Sequence, residues 1–265
     1  NWKPTHTGEG RFGQWLENLV DWNLSRSRYW GTPLPIWLSE DNSETKCIGS
    51  IAELKAEIEK SVQAGHMQPI EVTDLHKPYV DEIVLVSDSG KPMKRVADLV
   101  DVWFDSGAMP YAQWHYPLEN EGTFKQNFPA DFIAEGVDQT RGWFFTLHVL
   151  GVALFDSVAY KNVMSNGLLL DKNGNKMSKR LGNVIDPFET IEKYSADATR
   201  WYMMRNSDPW DNMKFDMTGL QDVIRSHFGT LYNTYGFFAL YANIDNWKYD
   251  AAKKISNEAK PELDR

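Results

Sequence analysis

The sequence contains a single cysteine, Cys47, in 265 residues. A lone thiol excludes an intrachain disulfide and a zinc site built from four cysteines, and it suits a reducing compartment. The sequence also lacks a recognisable signal peptide and any run of 18 apolar residues, so no segment is predicted to span a membrane. These absences predict a cytoplasmic protein without structural zinc.

Basic residues are outnumbered as well: 28 lysines and arginines stand against 37 acidic residues, which gives a formal net charge of −9 at pH 7. This charge balance argues against a protein that binds nucleic acid over most of its surface. A few clustered arginines could still make a local contact with tRNA. The hydrophobic content of 42%, with 25% charged residues, is that of an ordinary globular protein. Eleven tryptophans predict thick cores or cavities lined by aromatic rings.

Local patterns predict several elements. A charged helix is expected over residues 50–64 with Gly65 as its C-terminal stop, and a strand over 82–86. Asp186-Pro187 predicts the start of a helix that runs to about residue 206, and a second helical pattern runs from 215 to about 243. An amphipathic N-terminal helix is predicted from apolar residues at helical spacing, namely Phe12, Trp15, Leu16, Leu19 and Val20.

A short basic loop, Asn173-Gly-Asn-Lys-Met-Ser-Lys-Arg180, follows the apolar run at 167–170. Asn-Gly favours a tight turn because both residues tolerate positive φ. Lys176 and Lys179 could therefore lie over a polyphosphate and stabilise the charge that develops as phosphorus is attacked. On composition alone, a solvated basic hairpin tip is the favoured interpretation of the loop.

Three stretches carry a resemblance to a known family. Lys176-Met-Ser-Lys-Arg180 resembles the second signature loop of class I aminoacyl-tRNA synthetases. Residues 25–37 resemble the segment that follows the editing insertion in the isoleucyl members. Asp101-Val-Trp-Phe-Asp-Ser-Gly107, with Met109-Pro-Tyr-Ala-Gln113 after it, is similar to the isoleucyl members in particular. From its alternation alone, the segment at 101–107 is expected to be a short strand with Trp103 and Phe104 on opposite faces.

The resemblance implies an α/β fold, the second half of a Rossmann-like nucleotide-binding domain with a small α+β insertion and C-terminal helices. The expected divisions are a return segment from the editing insertion (1–37), the insertion (38–100), the catalytic half (101–214) and the start of a helical tRNA-binding region (215–265). The Cys-x-x-Cys pairs that many bacterial members carry beside the insertion are absent at 38–41 and 86–89. No zinc is therefore predicted.

Residues 130–143 predict a nucleotide site. A short buried strand at 132–134, broken by Glu135-Gly136, precedes an apolar helix expected over 140–155, and nucleotides bind at such strand ends in open α/β sheets. The resemblance assigns ribose or adenylate contacts to Glu135, Gly136 and Asp138. From the residues alone, Asp138 could equally be a helix N-cap.

The resemblance also implies an isoleucine pocket and completes the ATP site. Gln139 is expected near the aminoacyl group, and Trp103 and Trp143 are expected to form walls of the pocket. Without the resemblance, Trp143 is interpreted as a core residue of a helix, and Trp103 could equally lie in the core or line a pocket. The ATP contacts implied for the signature loop are Lys176, Met177, Ser178 and Lys179, with the two lysines as the catalytic residues.

The resemblance implies an isoleucine–tRNA ligase activity, with ATP and its Mg²⁺ as substrate. Isoleucine and tRNA(Ile) are the expected partners, and no resident metal is expected. The family's first signature, His-x-Gly-His, does not occur, and His148-Val-Leu-Gly151 does not replace it. The sequence is thus expected to represent only the second half of a catalytic domain and to be inactive alone. A valyl enzyme and a non-catalytic nucleotide- or tRNA-binding module remain the alternatives.

Overall fold

A computed structural model describes residues 1–264. By its internal contacts the chain forms two compact units, an N-terminal unit (Asn1–Asn166) and a C-terminal unit (Gly167–Arg265). The strands are β1 (Trp2–Lys3), β2 (Ser25–Arg26), β3 (Ile36–Ser39), β4 (Thr45–Cys47), β5 (Val84–Val86), β6 (Pro92–Arg95), β7 (Leu99–Val100), β8 (Ile133–Gly136), β9 (Val163–Asn166), β10 (Leu169–Leu170) and β11 (Met213–Lys214). The α-helices are α1 (Gly13–Glu17), α2 (Ile51–Gln63), α3 (Val102–Ala112), α4 (Glu121–Asn127), α5 (Trp143–Phe155), α6 (Pro187–Tyr194), α7 (Ala196–Asn206), α8 (Met217–Val223) and α9 (Gly229–Ile244).

A parallel sheet in the order β1-β9-β8 forms the centre of the N-terminal unit, which confirms the expected α/β class. Helix α5 covers this sheet, and Phe144 and Leu147 on the helix pack against Val163 on β9. The hydroxyl of Tyr160 donates a hydrogen bond of 2.8 Å to the carbonyl of Phe144. The sheet and the first turns of α5 are therefore fixed to each other, which positions the strand ends described below.

The segment expected to be the insertion contains an antiparallel sheet, β4-β3-β6-β5, packed on α2. The helix begins and ends as its sequence predicts. The Ser50 hydroxyl accepts a hydrogen bond from the Glu53 N–H at 3.0 Å, and Gly65 follows the helix with φ +79°. The predicted strand starts at Val84, because residues 79–82 form a turn of 3₁₀-helix.

Three local predictions in the N-terminal unit were wrong. Residues 102–112 form helix α3 rather than a strand, since the Asp101 carboxylate caps the Trp103 N–H at 3.1 Å. The N-terminal helix is a π-helical turn followed by α1, which ends at Glu17, so Leu19 and Val20 are exposed. Phe132 is exposed as well, and β8 continues through the predicted break at 135–136.

In the C-terminal unit, the parallel pair β10-β11 packs with α7 and α8 around Tyr202, Met213 and Leu220. Asp186 caps α6 as predicted, because its side chain accepts hydrogen bonds from the N–H groups of Phe188 and Glu189. The predicted continuous helix to residue 206 was wrong, because Ser195 has φ +76° and divides it into α6 and α7. Within residues 1–264, no helix is both long and apolar enough to cross a membrane.

The second helical pattern of this unit is confirmed over most of its length. Helix α8 continues through a π-helical segment at 224–228 into α9. The residues of α9 are almost all exposed, including large apolar side chains such as Tyr232 and Phe237. Beyond α9 the described chain contains only short 3₁₀ turns with exposed side chains.

Candidate nucleotide and amino-acid site

The carboxyl ends of β8 and β9 lie side by side in the N-terminal unit. Glu135 is in register with Ser165, and Gly136 is in register with Asn166. The chain then leaves β8 through a 3₁₀ turn at 137–141 and enters α5. This is the strand-end position at which open α/β sheets bind nucleotides. The Glu135 side chain is exposed there, so its carboxylate is accessible to a ligand.

Gly136 and Asp138 are adjacent in space at this edge. A Cβ on Gly136 would lie 2.6 Å from Oδ1 of Asp138, so the missing side chain makes room for that carboxylate. Asp138 does not cap a helix: its Oδ2 instead accepts a hydrogen bond of 3.1 Å from Nε2 of Gln139. The N-cap interpretation of Asp138 is therefore wrong, and its carboxylate stays exposed beside Gly136.

Gln139 joins this edge to the first turn of α5. Its Oε1 accepts a hydrogen bond of 2.9 Å from the Trp143 N–H, which has no partner within the helix. Gly142 lies between them, and a Cβ there would be 2.7 Å from Oε1 of Gln139 and 3.3 Å from Cη2 of Trp103. The structure thus brings Trp103, Gln139 and Trp143 together, and their roles in binding isoleucine remain predictions.

The two tryptophans lie on different helices that contact each other closely. The Trp143 indole N–H donates a hydrogen bond of 2.9 Å to the Ser106 carbonyl on α3, and Trp103 is 42% exposed on the same helix. Gly107 allows this approach, because a Cβ there would lie 3.0 Å from the backbone carbonyl of Thr146 on α5. Trp143 is thus held by its polar atom, whereas the Trp103 ring is free to contact a ligand.

The basic loop lies in the C-terminal unit, where Asp171 organises the turn. Its Oδ1 accepts hydrogen bonds from the N–H groups of Asn173 at 2.9 Å and Asn175 at 2.8 Å. Gly174, with φ +88°, completes the turn, so the conformation needs glycine there. The Asn183 amide and the N–H groups of this turn lower the pKa of Asp171 to about 2, so the carboxylate is ionised at neutral pH.

The remainder of the loop is held by Asn183 and Met177. Oδ1 of Asn183 accepts a hydrogen bond of 2.9 Å from the Ser178 N–H, and its Nδ2 donates to Asp171 at 3.0 Å. The Met177 side chain packs against the core of the unit. The side chain is half-buried there, and the implied ATP contact of Met177 remains a prediction.

Lys176 and Lys179 are exposed, and neither ammonium has a hydrogen bond or ion pair with any residue in 1–264. Such cations are available to an anionic ligand. The supporting side chains of Asp171 and Asn183 were missed by the sequence reasoning. The pattern Asp171-Lys-Asn-Gly-Asn175, an acid followed by turn residues, was the available signal for the first of them. The predicted site residues thus divide between the two units.

No group of three or more histidine, cysteine or acidic side chains in the described part of the chain is arranged to hold a metal ion. Cys47 is exposed on β4. The absence of zinc and the entry of Mg²⁺ with ATP remain predictions.

Comparison with known proteins gives one family match and close relatives. Residues 1–216 match the model of the class I tRNA synthetases for I, L, M and V. An isoleucine–tRNA ligase of Cytophaga hutchinsonii is 69% identical over 265 residues, which is 100% of this chain and 24% of that protein. The same enzyme of Bacteroides fragilis is 66% identical over 284 residues, with 100% and 25% covered. The chain thus spans about a quarter of the length of the curated relatives it matches.

A solved structure shows the same fold. It is the ternary complex of a LeuRS from Agrobacterium radiobacter K84 with tRNA and LeuAMS. The TM-score is 0.63 at 21% identity, over 94% of this chain and 32% of that one. At this identity the likeness bears on the fold alone.

Proposed function

Because the chain belongs to the class I tRNA synthetases for isoleucine, leucine, methionine and valine, we propose that it forms part of an isoleucine–tRNA ligase. The reaction joins isoleucine to ATP as an adenylate and then transfers the aminoacyl group to tRNA(Ile). Isoleucine is preferred over the valyl alternative because the relatives at 69% and 66% identity are isoleucine enzymes. The chain would supply the second half of the catalytic domain.

Activation begins when the isoleucine carboxylate attacks the α-phosphate of ATP and pyrophosphate leaves. Negative charge grows on the phosphate oxygens during this step, so cations that have no protein partner can stabilise it. Lys176 and Lys179 supply such cations from a loop whose turn is fixed by Asp171. This arrangement, two lysines without a partner among the described residues on a fixed loop, is the observation that carries the proposal.

The N-terminal unit would bind the adenosine and the amino acid. Glu135 presents a carboxylate at the strand end, where it could accept hydrogen bonds from ribose hydroxyls. Gly136 and Asp138 would contribute to the adenylate site beside it. The amino-acid side chain would contact Trp103 and Trp143, whose rings offer apolar walls, while Gln139 would lie near the aminoacyl group.

The test is isoleucine-dependent ATP–pyrophosphate exchange by the full-length protein, with valine as the competing substrate. Isoleucine should support faster exchange than valine, and Lys179→Ala should lower exchange by at least about tenfold while isoleucine binding is nearly retained. Unchanged exchange would remove Lys179 from the mechanism, and preference for valine would favour the valyl alternative. The 265-residue chain alone should show little exchange, because it contains no His-x-Gly-His sequence.

A further inference from the structure

Asn183 connects three separate points of the basic loop. Its Nδ2 donates to the Asp171 carboxylate at 3.0 Å and to the Lys176 carbonyl at 3.3 Å, while its Oδ1 accepts from the Ser178 N–H at 2.9 Å. One side chain therefore ties the residue that starts the turn to the backbone on both sides of Met177. None of these contacts engages a lysine ammonium.

An amide is required at this position because it must donate and accept at the same time. A carboxylate could accept from Ser178 but could not donate to Asp171 or Lys176. It would also place a second carboxylate against Asp171 and remove the Asn183 hydrogen bond, which is the largest cause of the lowered pKa of Asp171. The loop conformation therefore depends on a matched pair, a carboxylate at 171 and an amide at 183.

The pair fixes the backbone from which both lysines project. Lys176 is held through its own carbonyl, and Lys179 begins a turn of 3₁₀-helix whose N-cap, Ser178, is held through its N–H. Preorganised charges stabilise a transition state better than mobile ones, because they do not have to be ordered during the reaction. Loss of the pair should thus reduce the rate of the chemical step more than it reduces isoleucine binding.

We propose that Asn183 and Asp171 are positioning residues that hold Lys176 and Lys179 for the stabilisation of the migrating phosphates. The inference rests on the proposed function. It adds two residues that act through the lysines and touch no substrate themselves.

The experiment uses the full-length enzyme and a charge swap. Asn183→Asp alone should lower kcat of isoleucine-dependent ATP–pyrophosphate exchange by about tenfold, with the KM for isoleucine changed by less than about twofold. Asp171→Asn combined with Asn183→Asp restores a donor facing an acceptor between 171 and 183, and only the longer hydrogen bond of 3.3 Å to the Lys176 carbonyl stays lost. This swap should therefore recover exchange to within about threefold of wild type. The matched control is Asn42→Asp, the same change at an exposed residue between β3 and β4 whose side chain makes no hydrogen bond in the described chain.

A second arm separates positioning from general destabilisation. If Asn183 acts through the two lysines, then Asn183→Asp should lower exchange by no more than about twofold when added to the double variant Lys176→Ala/Lys179→Ala, because the lysines it positions are already absent. A full additional tenfold loss, or a swap no more active than Asn183→Asp, would overturn the proposal even if the single variant folds poorly. If the wild type shows no isoleucine-dependent exchange, the proposed function itself fails and the positioning role falls with it.

Discussion

Helices α3 and α5 should not tolerate a methyl group at Gly107. A Cβ at this position would lie 3.0 Å from Cδ1 of Leu150 and equally close to the carbonyl carbon and oxygen of Thr146. Ordinary contacts between carbon atoms are about 3.5–4.0 Å, so the shortfall is roughly 0.5–1 Å. The leucine can rotate away, but the backbone of Thr146 can yield only if the helices move apart.

The magnitude follows from two opposing terms. Overpacking of this kind costs about 1–3 kcal/mol, whereas replacing glycine by alanine inside a helix gains about 1 kcal/mol. Gly122 in α4 provides the matched control, because a Cβ there would meet nothing within 4 Å. Gly122→Ala should therefore stabilise the chain slightly, and Gly107→Ala should be less stable than this control by about 1–3 kcal/mol.

Urea unfolding of the 265-residue chain, followed by circular dichroism, would measure both variants. The separation of the helices should also reach the proposed pocket, since α3 carries Trp103 and the Ser106 carbonyl that binds the Trp143 indole. In the full-length enzyme, Gly107→Ala should thus raise the KM for isoleucine, and Gly122→Ala should leave it unchanged. Equal stability of the two variants would show that the contact between α3 and α5 is looser than the structure indicates.

Three further predictions concern stability. Ser50→Ala should destabilise the insertion by about 1 kcal/mol, because α2 loses its N-cap, and thermal unfolding would show it. Hydrogen bonds from Lys46 and from Lys60 lower the pKa of Glu57 in the folded chain. These bonds therefore stabilise the fold fully above about pH 4.5, and their contribution is lost as the pH falls through the lowered pKa. Lys46→Met should accordingly reduce stability at neutral pH and flatten its acid decline in urea titrations. Burial lowers the pKa of His148, so the unfolded chain takes up the proton first and stability falls below about pH 6.5. His148→Gln should remove the part of the decline that begins as the pH falls through about 6.5, and urea titrations at a series of pH values would show it.

Local rules predicted the elements whose ends are determined by their own residues. Ser50 and Gly65 bound α2, and Asp186 starts α6, because capping depends on atoms within one helical turn. The failures have equally local causes. Asp101 was available as an N-cap, but the alternation after it indicated a short strand. The segment nevertheless forms α3, which includes Pro110. Ser195 interrupts a helix at positive φ, which its residue type does not signal.

The site residues divide in a similar way. The lysines and tryptophans could be named from the sequence because they lie in motifs that resemble those of the family. The structure places Trp103 beside Gly142 and Trp143. The roles of these residues in binding remain predictions. The interaction of Asp171 with Asn183 could not be inferred, because the two residues are 12 positions apart and their contact depends on the path of the loop.

Each unit uses an amide side chain to fix the backbone beside a functional side chain. Gln139 accepts a hydrogen bond from the Trp143 N–H and donates one to Asp138. In the basic loop, Asn183 likewise accepts from the Ser178 N–H and donates to Asp171. Because an amide both donates and accepts, replacement by the matching carboxylate removes a donor and adds a charge while the size is kept. Gln139→Glu should thus lower isoleucine-dependent ATP–pyrophosphate exchange, as Asn183→Asp is expected to do. The new carboxylate would repel Asp138, just as a carboxylate at 183 would repel Asp171. The side chains that carry the chemistry can be recognised from their motifs, whereas these supporting amides are recognised only from the hydrogen bonds they make.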